Sequence, residues 1–162
     1  MSIDKLKDSQ IADNIRRYRE RGLIEGGHYS LADLLAEQAR RNPTPFEVDA
    51  VIAAIIEGSK RSTDGLVTYG DLWKRFTDAP WVGNHSQQQV ANALGRVVHH
   101  CRRHDMPILT TLVVQAGSRS LGKEAKENIF EEARELGYDT GVDKEKFIQE
   151  QRAQSLVLVQ AA

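Results

Sequence analysis

Five polar side chains, Gln88, Asn92, Arg96, His99 and Arg103, recur at steps of four, four, three and four residues. That spacing stacks them on one face of a helix. Their chemistry is that of base-edge readers, since amide side chains suit adenine and arginine suits guanine in a major groove. The competing reading is the solvated face that every amphipathic helix presents. Tyr69 adds a phenol that could hydrogen-bond a phosphate, or could be a half-buried ring with a wet hydroxyl. Arg119, in the turn Ala116-Gly117-Ser118-Arg119-Ser120, is placed to meet a phosphate from a wing tip. Tyr69, Gln88, Asn92, Arg96, His99, Arg103 and Arg119 are the expected nucleic-acid contacts.

Other chemistries fit less well. His100 and His104 share a helix face, but there is no second Cys/His pair at ligand spacing and flanking arginines repel a cation, so no metal is expected. Cys101 falls on an apolar stripe and reads as a small core residue, not a nucleophile. Trp81 could stack on a base or lid the core. Glu127 and Glu131 read as a solvated face, and Thr110 and Thr111 lack a Lys or His partner in sequence. No glycine-rich loop matches a nucleotide fingerprint, and no cofactor is expected. An acid–base pair for catalysis would have to come from distant segments.

The elements that must position these residues follow from periodicity and punctuation. Ser9 starts a helix to Arg21, stopped by Gly22, with Ile11, Ile15 and Tyr18 inside. Ser30 caps a second, with Leu31, Leu34, Leu35 and Ala39 inside, ending near Asn42-Pro43. Thr44 caps a third, with Pro45 at its first helical position and Glu47 completing a capping box; Val48, Val51, Ile52 and Ile55 are its buried face. Leu66-Val67 reads as a short strand, and Thr68 caps a short helix anchored by Leu72, Trp73 and Phe76. Ser86 then caps a long helix to His104, with Val90, Leu94, Val97 and Cys101 inside. Ile108 to Val114 is β-like. An acidic helix with Ala125, Ile129, Phe130, Ala133 and Leu136 follows and ends at Gly137. Asp143 caps the last helix, and Leu156-Val157-Leu158-Val159 either extends it or forms an edge strand. Strand, short helix, loop, long helix and strand is the order of a winged helix-turn-helix.

Composition sets outer bounds. The chain has 162 residues, enough for one domain with a substantial core, and 40% hydrophobic and 28% charged residues are ordinary for a globular protein. No apolar run approaches the ~20 residues that span a bilayer. The start, Met1-Ser2-Ile3-Asp4-Lys5-Leu6-Lys7, is charged where a signal peptide needs an apolar core, and a single cysteine suits a reducing cytoplasm. The net charge of −1 conceals a polarity: residues 84–123 carry five Lys/Arg against one Asp/Glu, whereas residues 124–162 carry five against nine. A local positive field in the middle would have to attract a phosphate backbone.

The runs Val67-Thr68-Tyr69-Gly70-Asp71-Leu72, Val90-Ala91-Asn92-Ala93-Leu94, Pro107-Ile108-Leu109 and Val113-Val114, in that order, resemble the winged-helix domain of alkylguanine-DNA alkyltransferases and alkyltransferase-like proteins. The likeness is confined to residues 67–114. It implies DNA binding, with Tyr69 on the phosphate side. The same resemblance places the family's nucleophilic cysteine near Leu112 and its helix arginine near Gln88, with Val113 and Val114 where the family has His and Arg. Alkyl transfer needs a thiolate activated by a base, so the resemblance implies a scaffold without that chemistry. Cys101, Met106 to Val114 and Ala133 to Tyr138 are also similar to uncharacterised bacterial proteins with a Leu-Pro-Pro-Leu-Thr run and a Leu-Val-Val strand.

The sequence therefore leads to a mostly α fold with a small β wing. Residues 1–64 are helical support, 65–118 a winged helix-turn-helix core and 119–162 a helical extension, together one compact domain. The expected function is non-enzymatic DNA binding in a bacterial or phage cytoplasm, away from membranes. The alternative is a protein-interaction or regulatory module on the same fold.

Overall fold

The computed structural model describes residues 2–41 and 44–162. Seven helices occur among them: α1 (Asp8–Arg21), α2 (Leu31–Arg41), α3 (Val48–Arg61), α4 (Tyr69–Phe76), α5 (Gly83–Arg103), α6 (Lys123–Glu135) and α7 (Lys144–Ala161). Two strands of two residues each, β1 (Val67–Thr68) and β2 (Val113–Val114), pair in parallel, Val67 opposite Val113 and Thr68 opposite Val114. The molecule is thus mostly helical with a small sheet.

Local chemistry sets most boundaries. Gly22 ends α1 in the left-handed region at φ 63°, where the missing Cβ removes the steric cost. Ser30 Oγ accepts from Asp33 N at 3.1 Å at the head of α2. The expected stop of that helix at Asn42-Pro43 lies outside the described residues. Thr68 and Asp71 exchange side-chain and backbone hydrogen bonds, a capping box that starts α4 directly after β1. Asp143 caps α7, accepting from Lys146 N at 3.1 Å. Of the two fates open to Leu156–Val159, the structure takes the helical one.

Three starts differ from the sequence reading. Lys7, not Ser9, precedes α1. Glu47, not Thr44, caps α3, its carboxylate accepting from Asp49 N and Ala50 N, while Thr44 accepts from Phe46 N in the preceding turn. A carboxylate at a helix N-terminus satisfies open N–H groups and the macrodipole together. α5 begins at Gly83, and Ser86 Oγ reaches back to accept from Val82 N at 2.7 Å. Ser86 therefore closes the first turn from inside.

The β-like run is also corrected. Leu109–Leu112 forms a 3-10 turn, and only Val113–Val114 pairs as strand. Thr111 turns the chain: its N and Oγ1 both donate to Ile108 O, at 3.1 and 2.8 Å. After β2 the chain closes a turn in which Arg119 N donates to Gln115 O and Gln115 N to Ser120 O. Among the described residues no antiparallel hairpin forms there, and the sheet joins β2 to β1 instead.

Two apolar clusters fill the interior. One gathers α3, α4 and most of the buried stripe of α5, with Leu109, Leu112 and Val113 at its floor. The other gathers α1, α2, α6 and α7 around Ile108, Val114 and Val98 of α5. Cys101 is fully buried in the first cluster, as its position on the stripe implies.

Candidate recognition cleft between α5 and α6

The α5 stripe delivers its apolar residues inward, so its other face must meet either solvent or a neighbour. At its N-terminal half it meets solvent. Gln88 and Asn92 are exposed, and Gln88 Nε2 donates to Asn92 Oδ1 at 2.9 Å. The Gln88 carbonyl oxygen and the Asn92 amide nitrogen are left for a ligand.

Further along, the expected ridge is broken up. Arg96 is half-buried and donates to Thr44 Oγ1 at 3.1 Å. The His99 side chain is only 12% exposed, its Nε2 2.6 Å from Glu132 Oε1 of α6. Arg103 turns to Asp33 of α2, 3.2 Å away. The ridge is thus taken over by neighbouring segments, α2, α6 and the turn before α3, which the spacing along α5 alone does not report.

The other two expected contacts are also committed elsewhere. Arg119 holds Asp64 with Nε and Nη2, at 2.6 and 2.7 Å, and its guanidinium keeps the Asp64 carboxyl well below the usual carboxylate range. It borders a hollow shared with Arg61, Arg75 and Asp71. Arg103 borders a different hollow with Asp33 and Arg102. Arg96 and Lys123 line a third site, so the basic side chains scatter over three faces. Tyr69 is 8% exposed, and burial pushes its phenol up. Trp81 packs edge-on against Trp73 at 5.8 Å, a partly exposed lid on the first core.

What the fold does assemble is a cleft of about 990 Å³ between α5 and α6. One wall is amide-rich, with Asn84, Gln87, Gln88 and Asn92; the other is acidic, with Glu124, Glu131, Glu132 and Glu135; Tyr69, His99 and Thr110 also line it. Four carboxylates face two cations, Arg96 and Lys123. Glu135 also holds Arg19 at 2.9 Å, while Glu124 and Glu131 are exposed.

Two buried atoms stand out at this cleft. Thr110 is 2% exposed, and its Oγ1 has no hydrogen-bond partner among the described residues; nor does His99 Nδ1. Glu132 Oε1 lies 2.6 Å from His99 Nε2, so the proton belongs on that nitrogen, and Nδ1 is an acceptor in the neutral form of the ring. Buried polar atoms are rarely left unpaired, because each costs about 1–3 kcal/mol. A carboxylate, an imidazole and a hydroxyl are also the parts of a nucleophilic triad. Here Thr110 Oγ1 and His99 Nδ1 make no hydrogen bond to each other, so the hydroxyl is not activated in that way.

No family model, curated protein or solved structure matches the chain.

The sequence reading set Thr110 aside for want of a Lys or His partner and took the acidic helix face, Glu131 included, as solvated. Thr110 sits in an apolar run that gives no sign of which polar atom will lack a partner. The acidic wall did leave a trace: Glu124, Asn128, Glu131, Glu132 and Glu135 fall at helical steps on one side of α6. That pattern is the same whether the face meets water or a cleft. No group of three or more His, Cys, Asp or Glu among the described residues could hold a metal ion. No described helix is long and apolar enough to cross a membrane.

Proposed function

We propose that the chain is a protein-interaction module whose α5–α6 cleft binds an extended, basic segment of a partner protein. The observation that carries this is the opposition of an amide wall to a carboxylate wall over buried, unpartnered polar atoms. The Gln88–Asn92 pair offers one acceptor and one donor, the complement of a peptide unit. Glu124 and Glu131 offer charge to Lys or Arg side chains from exposed positions. From Glu124 to Glu135 the wall runs ~16 Å along α6, the span of about five extended residues.

A nucleic-acid reading, with the winged helix-turn-helix as its scaffold, keeps one observation in its favour. α5 has no acidic residue along its 21 residues, and Asn84, His85, Gln88 and Asn92 are exposed near its start. Against it stand the carboxylates across the cleft and the commitment of Arg103 and Arg119 to carboxylates, since phosphate binding needs free cations on one face.

The deciding experiment titrates the full chain with a fluorescent Lys/Ser-alternating octapeptide, its Glu/Ser counterpart, and a short DNA duplex. Binding of the basic peptide alone, weakened by Glu124→Lys and Glu131→Lys, is the expected result. Salt-dependent duplex binding without peptide binding would replace this reading with the nucleic-acid one.

A further inference from the structure

We propose that Thr110, His99 and Glu132, which all line this cleft, together form at one end of it a subsite for one guanidinium group, an arginine side chain of the basic segment. The inference rests on the interaction reading above and names the residue that the cleft selects.

Each group at that end can accept a hydrogen bond. Glu132 carries the negative charge and has a second carboxylate oxygen beyond the one bound to His99 Nε2. His99 Nδ1 is an acceptor in the neutral ring, and the Thr110 hydroxyl oxygen is unpartnered. A neutral ligand with one donor would leave most of these unpaired. A guanidinium brings five donors in a plane and matches a carboxylate with two parallel bonds. An ammonium is a compact, strongly hydrated point charge that loses more on entering a half-buried site.

Neither Thr110 Oγ1 nor His99 Nδ1 is reached by solvent in the unliganded chain. The head group therefore enters with a change of rotamer among the cleft side chains, the commonest rearrangement at binding surfaces. Arg96 does not compete for the subsite, because its guanidinium is turned to Thr44. The deletion of the Thr110 hydroxyl is separable from folding: Thr110→Val keeps side-chain volume and removes no hydrogen bond present in the unliganded chain.

The test compares three labelled peptides on the full-length chain. They are the Lys/Ser octapeptide, the same peptide with one central Lys replaced by Arg, and the same with citrulline there, which keeps the shape of arginine without its charge. The arginine peptide is expected to bind about tenfold more tightly than the citrulline peptide, the difference of one well-placed charged pair. Thr110→Val and Glu132→Gln are each expected to bring the affinities for the arginine and citrulline peptides to within about twofold of each other, whatever either change does to the affinity for the Lys/Ser peptide. The His99 Nδ1 resonance of isotope-labelled protein should shift only with the arginine peptide. Equal affinity for arginine and citrulline, or a preference untouched by Thr110→Val, overturns the subsite but leaves the interaction reading in place. Failure of every basic peptide to bind removes both.

Discussion

Replacing Thr110 by valine should make the protein more stable. The Thr110 side chain is 2% exposed with an unpaired Oγ1, and an unsatisfied buried hydroxyl costs about 1–3 kcal/mol. Valine puts a methyl group in the same volume. Taking the lower end of that range, since removing the hydroxyl also leaves neighbours to readjust, gives a gain of about 1 kcal/mol, or about 2–4 °C in Tm for a chain of this size. Urea titration followed by circular dichroism measures it, with an unchanged m-value showing that only stability moved. Thr111 is the internal control. Its Oγ1 donates to Ile108 O at 2.8 Å, so Thr111→Val should cost about 1 kcal/mol. A loss of about 1 kcal/mol or more at Thr110, equal to that at Thr111, would show that the Thr110 hydroxyl is satisfied in the folded chain. A ligand at that atom would then have no unpaired group to satisfy. A stabilised variant that no longer prefers arginine would be a trade of stability for binding.

Three other outcomes follow from the geometry. Gly137 stands at φ 88°, and a Cβ there would meet Ile24 Cδ1; Gly137→Ala should lose about 1–3 kcal/mol in a denaturant titration, more than a helix-end glycine costs elsewhere. Burial pushes the Cys101 thiol up to about 11, so the native protein should react with a disulfide reagent only as fast as it opens, and in urea at the rate of a free thiol. The Asp64 carboxyl is lowered by its bond to Arg119. Because the folded value lies below the unfolded one, the bridge stabilises the fold above the normal carboxylate range and loses this contribution as pH falls through and below it. Asp64→Asn should accordingly flatten the acid limb of the stability–pH curve, and an unchanged limb would show the bridge to be energetically idle.

The helices were legible where a short-range signal exists. Val90, Leu94, Val97 and Cys101 step at helical spacing, and all four are buried. Gly22, Thr68 and Asp143 act within three or four residues of themselves, so their sequence neighbours suffice to place helix ends. The register of β1 on β2 is of another kind. Val67 and Val113 meet because α4 and α5 fold back between them, and two residues carry no alternation from which pairing could be read. The recognition face failed for the same reason. His99, Arg96 and Arg103 are spaced as a ridge, but Glu132, Thr44 and Asp33, distant in sequence, decide where each side chain goes. Polarity along α5 was visible, whereas the acidic helix lying across it was a tertiary fact.

α5 gives Val90, Leu94, Val97 and Cys101 to one apolar cluster and Val98 to the other. No cut between residues 64 and 65, or 118 and 119, separates these clusters, because a single rod is common to both. Melting should therefore sweep through the whole chain in one step. A protease that nicks the loops should leave no lasting fragment, and a damaging substitution in α1 or α7 should be felt at the far end of the molecule as loss of the whole fold.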